Sequence, residues 1–240
     1  MEASRPRARR TVAVLQPSYL PWLGAFEQMA RADVFVFYDD VQYDKNGWRN
    51  RNRIRTHGDP GWSWLTIPVR LPHAFTGLND VQIDARVPWG RKHRRALELA
   101  YASAPHREEL KRFFPLFESS STSLLDVAIQ STLILAGAFG LAREVARASE
   151  LGVGGDRTGR LVEICKTLGA TDYYSGKAAE EYLEVERFER EGIQVAFQEF
   201  VHPTYEQCHH PFVSHLSAID ALLCAGPART RAMLEATVPV

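Results

Sequence analysis

The first forty residues set the kind of fold this chain can adopt. Residues 11–16 (TVAVLQ) form an apolar, β-branched run, and residues 33–38 (DVFVFY) form a second. Between them Phe26, Met29 and Ala30 recur at helical spacing, which predicts a short helix over residues 25–31. Strand, loop, helix and strand in so short a span read as a parallel crossover unit, expected to be right-handed. Each strand then runs into a dense polar segment. The first holds Gln16, Ser18, Tyr19 and Trp22. The second runs from Asp39 and Asp40 through Gln42, Lys45, Trp48, Asn50, Arg51 and Asn52. Sites for polar small molecules in open α/β sheets form just past the carboxyl ends of the strands, so both segments are candidate site loops.

The rest of the chain carries further elements. Arg49, Arg51, Arg53 and Arg55 share one parity, with Asn50, Asn52 and Ile54 on the other, so an extended segment would line one face with arginine. Residues 57–61 (HGDPG) signal a turn and residues 62–69 (WSWLTIPV) a third strand. Residues 88–103, 105–119 and 123–139 carry few breakers and read as helices, and residues 143–148 as a short strand. Gly154, Gly155 and Asp156 open another helix. Its Leu161, Ile164, Cys165 and Leu168 form a core-facing stripe, and Gly169 closes it. Residues 171–175 and 193–200 read as later strands. Residues 216–224 read as a helix started by Ser217 and Asp220 and stopped by Gly226 and Pro227. The expectation is one α/β domain over residues 11–240, behind a disordered tail at residues 1–10. It has a mainly parallel central sheet, flanking helices and a helical segment at about residues 88–140.

Composition narrows the function classes. Formal net charge is zero, from 29 acidic and 29 basic residues, which gives no electrostatic case for nucleic acid or an anionic membrane. The longest apolar run, residues 133–142, is too short to span a bilayer, and Pro17 and Pro21 break the run a signal peptide needs. A cytoplasmic protein is expected. The three cysteines, Cys165, Cys208 and Cys224, have no CxxC spacing and read as free thiols. No sequence signature calls for a cofactor, and none for a metal: an Asp39–Asp40 pair on Mg²⁺ finds no further carboxylate at useful spacing. His209 and His210 have no HxxxH or Cys/His partners for zinc.

Candidate roles follow from residue chemistry. Asp39 and Asp40 point to opposite faces of an extended chain, so one suits a base and the other a loop anchor; the alternative is an ion-paired turn of purely structural origin. Gln16 and Tyr19 offer oriented donors and acceptors, or belong to a proline-stiffened loop with core aromatics. Lys45, Arg49 and Arg51 suit a carboxylate or phosphate. Ser175 with Gly176, and Tyr205 with Gln207, form a later polar set. His202 and His215 admit either a general-base role or a packing role, and Cys165 either a nucleophile or a buried inert thiol.

The motifs, taken in order, resemble those of the WbqC-like proteins of bacteria. They are Gln16-Pro17-x-Tyr19-x-Pro21-Trp22-x-Gly24, Tyr38-Asp39-Asp40-Val41-Gln42-Tyr43-x-Lys45, Trp48-x-Asn50-Arg51-Asn52 and Trp64-Leu65-Thr66-x-Pro68-Val69. Later come the Arg160–Ala170 segment, Ser175-Gly176, Phe188, Gly192-Ile193, Tyr205-x-Gln207 and Leu216-Ser217-x-Ile219-Asp220. The resemblance implies a place in surface-polysaccharide (O-antigen) or natural-product pathways, and transfer of glycine or another aminoacyl or acyl group onto an amine or hydroxyl. It carries no assigned catalytic residues. We assign Asp39 or Asp40 as base, Gln16, Tyr19, Gln42 and Asn52 as orienting groups, and Lys45 and Arg51 as anion binders, with Trp48, Asn50, Ser175, Tyr205 and Gln207 lining the substrate. The expected partner is a small-molecule substrate, which a carrier protein would present as a thioester. The strand-turn-helix start also resembles nucleotidylyltransferase-like enzymes, but it lacks their HxGH signature. Nucleotidyl transfer or ATP-dependent ligation is the alternative enzyme class, and a non-catalytic binding module the alternative outside catalysis.

Overall fold

The computed structural model describes residues 8–71, 73 and 75–236. The tail expected at residues 1–10 lies outside the described residues at positions 1–7. Arg10 is held: its N–H donates to the Thr171 hydroxyl at 2.9 Å, and its guanidinium reaches the Leu168 carbonyl at 2.9 Å and Glu144 at 2.7 Å.

The fold is α/β. β1 (Thr11–Leu15), α1 (Leu23–Arg31) and β2 (Val34–Phe37) are the predicted opening unit, with Leu15 beside Phe37 in parallel register. β3 (Arg51–Arg55) and β4 (Trp62–Thr66) pair antiparallel, as do the short β5 (Val69–Arg70) and β6 (Gln82–Ile83). The helical segment follows as α2 (Trp89–Ala100), α3 (Phe114–Phe117) and α4 (Leu124–Ala138). Then come β7 (Glu144–Arg147), α5 (Arg157–Thr167), β8 (Asp172–Ser175), α6 (Val185–Glu189), β9 (Gln194–Phe197), α7 (Ala218–Cys224) and α8 (Pro227–Glu235). The central sheet has five strands in the order β7-β2-β1-β8-β9, every neighbouring pair parallel. Among the described residues no helix is long and apolar enough to cross a membrane.

The residues group into two compact units. The first takes the described residues up to Leu15 with Gln28–Tyr38 and Arg143–Glu199; the second takes Gln16–Glu27, Asp39–Ala142 and the described residues from Phe200. The first unit contains the whole five-stranded sheet. Val12, Val14, Val34 and Val36 pack in one core with Leu161, Ile164 and Cys165 of α5. Asp156 caps that helix by accepting from the Gly159 N–H at 2.7 Å, and Gly169 takes the left-handed conformation beyond its end (φ 67°). Burial pushes the Cys165 thiol up to about 12, so it stays protonated.

The second unit is helical apart from the short strand pairs. Residues 105–119 do not form the single helix their composition suggests. Arg107–Phe113 is a 3₁₀ turn in which the Phe114 N–H bonds the Lys111 carbonyl, and α3 follows. Pro115 is the physical reason, since it has no N–H for the α-helical bond to Lys111. Gly226 (φ 85°) ends α7 as expected, but Pro227 also opens α8 from its first turn, an element the breaker reading did not anticipate.

Candidate functional site

Within the second unit the loop after β1 is clamped by Arg49. Its Nη1 donates to the Gln16 carbonyl at 3.0 Å and the Ser18 hydroxyl at 2.8 Å, and its own carbonyl accepts from the Tyr19 N–H at 3.0 Å. Arg51 does not take this position. Its guanidinium bonds the Gly47 and Asn46 carbonyls and lies over the Trp64 ring, 4.6 Å from the centroid. The cause is where the strand begins: Arg49 lies before β3 and turns toward the loop, whereas Arg51 is already in the ladder opposite Thr66.

The amides alongside are engaged with backbone. Asn50 Nδ2 donates to the Ile67 carbonyl at 2.8 Å and Asn52 Nδ2 to the Leu20 carbonyl at 2.6 Å, both from buried positions. Asp39 is wholly buried and Asp40 half-buried, while Gln42 and Lys45 are exposed. Ser175 lies in the first unit, buried at the end of β8, and bonds the Tyr173 hydroxyl at 3.3 Å. The turn after it, Lys177–Glu181, is a short 3₁₀ segment.

Tyr19 is fully buried, and its hydroxyl lies 2.9 Å from His93 Nδ1. His93 Nε2 faces the Thr66 carbonyl at 3.2 Å, so Nε2 carries the proton and Nδ1 accepts from Tyr19. Burial pulls the His93 pKa from 6.5 to about 4, which keeps the ring neutral. The unfolded chain binds this proton more readily than the folded one, so stability is complete above pH 6.5 and is lost as pH falls toward 4. Between pH 7.5 and 5 the loss from this ring should be about 2 kcal/mol. Urea titrations should show it as a steeper pH dependence in the wild type than in His93→Gln. Equal slopes would contradict the assignment.

Tyr205 and Gln207 join a second buried network. Asp220 accepts from the Tyr101 hydroxyl at 2.9 Å, the Tyr205 hydroxyl at 2.8 Å and Gln207 Nε2 at 2.8 Å. The Arg55 N–H donates to the same Tyr101 hydroxyl at 3.0 Å. Arg55 shares the strand face of Arg51 and Arg53, yet it is buried, with its guanidinium bonded to the carbonyls of Thr56, Gly61, His209 and Pro211. Ser217 caps α7 as expected, accepting from the Ile219 N–H, while Asp220 in the same first turn faces inward.

A further arrangement of reactive character, centred on His202, lies elsewhere in the second unit. His202 Nδ1 is 2.9 Å from the Pro203 carbonyl, so Nδ1 carries the proton and Nε2 presents a lone pair. That Nε2 is buried and has no hydrogen-bond partner among the described residues. Burial, with a contribution from His215, lowers the ring's pKa and keeps it a neutral base. The His215 ring is centred 5.0 Å away and stacks on Trp22 at 5.2 Å; Phe200 and Phe212 flank His202. Trp22 lies across Gly24, where an added Cβ would fall 2.3 Å from the indole, so only glycine admits that pose. His215 holds a left-handed backbone (φ 58°), a strained conformation of the kind that collects at functional sites.

Arg53 joins this group, donating to the His215 carbonyl at 3.2 Å. Its guanidinium lies between the rings of Trp48, at 5.3 Å, and Trp62, at 5.0 Å, and it has no carboxylate partner among the described residues. A half-exposed cation between indole faces is suited to receive an anionic group. His202 thus supplies a proton acceptor, Arg53 a positive charge and His215 the link between them. Sequence reasoning left His202 open and did not single out Arg53. The readable signal was a histidine just before a proline, among aromatics. Among the described residues no three His, Cys, Asp or Glu side chains are grouped to hold a metal.

The profile of the WbqC-like protein family matches residues 16–232. The uncharacterized protein Rv1507c of Mycobacterium tuberculosis is 32% identical over 221 residues, covering 90% of this chain and 94% of that protein. No solved structure matches the chain.

Proposed function

The chain belongs to the WbqC-like protein family, and from that premise we propose an acyl- or aminoacyl-transferase that moves a glycyl or similar group onto an amine or hydroxyl. The observation that carries the reading is the Nε2 of His202, which has no hydrogen-bond partner among the described residues and whose tautomer is fixed by the Pro203 carbonyl. Such a nitrogen is suited to take the acceptor's proton as the acceptor attacks the acyl carbon. The thioester C–S bond then breaks, and the proton passes to the departing thiol. Arg53 would hold an anionic group of the donor or the developing oxyanion. In this reading Asp39 and Asp40 organise the loop after β2, and Gln16, Ser18 and Tyr19 shape the backbone that carries Trp22. Lys45 and Gln42, both exposed, remain available to a donor's carrier protein.

The test uses simple donors. Glycyl- and acetyl-pantetheine thioesters are incubated with the protein and an amino-sugar acceptor, and free thiol is followed. Thiol release above the uncatalysed rate, with matching acylated acceptor, is expected. Pyrophosphate or AMP formed from ATP, without thiol release from either thioester, would overturn this reading in favour of ligation or nucleotidyl transfer. Turnover of neither substrate would point to a binding module.

A further inference from the structure

We propose that Cys208 and Cys224 are a paired dithiol that hydrogen peroxide converts to a disulfide. Their sulfurs are 3.5 Å apart and both thiols are free. A disulfide requires about 2.0 Å, a short closure for two side chains already in contact. Cys208 is half-buried, in the segment that joins His202 to His215. Cys224 is buried at the end of α7. One turn earlier on α7 lies Asp220, whose Oδ1 is 4.0 Å from the Cys224 sulfur and accepts from it. Burial and the Asp220 charge push the Cys224 thiol up, so it resists direct oxidation.

The chemistry therefore assigns separate roles. Cys208, the more exposed residue of the two, attacks peroxide: an S–O bond forms, the O–O bond breaks and one water leaves, giving a sulfenic acid. The Cys224 sulfur then displaces that oxygen. The S–S bond forms, the S–O bond breaks, and the Cys224 proton leaves with the hydroxide as a second water. The two thiols lose two electrons and two hydrogens, and the peroxide is reduced to two waters. Asp220, already the acceptor for the Cys224 thiol, is placed to take that proton in transit. The product ties the segment bearing His202 and His215 to α7. The inference stands on sulfur geometry and does not depend on the proposed transfer reaction.

The experiment exposes the full chain to hydrogen peroxide, quenches with catalase, then denatures and alkylates it. In an aliquot taken before alkylation the expected intact mass is about 2 Da lower with no added oxygen. One of the three cysteines, Cys165, should remain alkylatable, and a Cys208–Cys224 cross-linked peptide should appear under non-reducing digestion. In Cys224→Ser, dimedone should trap the sulfenic acid on Cys208. In Cys208→Ser, Cys224 should stay reduced under the same exposure. Three alkylatable thiols in the treated wild type would overturn the proposal, as would a gain of oxygen mass at Cys208 or cross-links only between chains. Oxidation of Cys224 in Cys208→Ser at the wild-type rate would overturn the assigned roles.

Discussion

Replacing Asp220 with alanine should lower the unfolding free energy by about 3–5 kcal/mol, the scale for breaking a buried, hydrogen-bonded charge network by removing one partner. Three donors end on this carboxylate from buried positions: the Tyr101 and Tyr205 hydroxyls and Gln207 Nε2. Without it, all three are left in a region closed to water. The buried Arg55 guanidinium also loses the negative charge that acts on it, because its own hydrogen bonds all end on backbone carbonyls. Asp220→Asn keeps the volume and one acceptor oxygen, so it should cost less, about 1–3 kcal/mol. Urea unfolding followed by circular dichroism measures both. A loss under about 1 kcal/mol in the alanine variant would show that these donors find other partners.

His202→Asn should reduce turnover by roughly 10²–10⁴-fold, the range expected when a positioned general base is removed. The variant should still fold: His202 is half-buried, its one hydrogen bond goes to the adjacent Pro203 carbonyl, and what it loses besides is ring contact with Phe200, Phe212 and His215. The loss should fall mainly on kcat, since the base acts as the acceptor's proton leaves and contributes little to ground-state binding. Arg53→Lys is the complementary variant: it keeps the charge and loses the planar group between Trp48 and Trp62. An effect on KM from that variant, together with an effect on kcat from His202→Asn, would separate binding from proton transfer.

The fold was far more legible than the site. β1 and β2 announced themselves because strands of a parallel sheet are buried on both faces and read as continuous apolar runs, as the four buried residues of β2 show. α5 was legible because Leu161, Ile164 and Cys165 face one core while Asp156 and Gly169 mark its ends. The polar segments are harder to read, because amide density does not say what an amide bonds. Asn50 and Asn52 look like ligand-binding groups in sequence, and in the structure they satisfy backbone carbonyls. Alternating arginines gave the shared face of Arg51, Arg53 and Arg55, but not that Arg55 would be enclosed by the carbonyls of His209 and Pro211, far along the chain. His202 was illegible for a similar reason. What distinguishes it is a carbonyl on one ring nitrogen and, among the described residues, no partner on the other, a property of three-dimensional packing and not of spacing.

The most direct test of the account is the pH dependence of kcat/KM for the wild type and His202→Asn, measured with the thioester substrate that turns over. A histidine base acts only when neutral, so the rate should fall as pH drops through its pKa. Burial and the neighbouring His215 lower that pKa, so the acid limb should have its midpoint below 6.5. The residual rate of His202→Asn should lack this limb. The same acid limb in the variant as in the wild type would show that another group is the base, and would contradict the role given to His202.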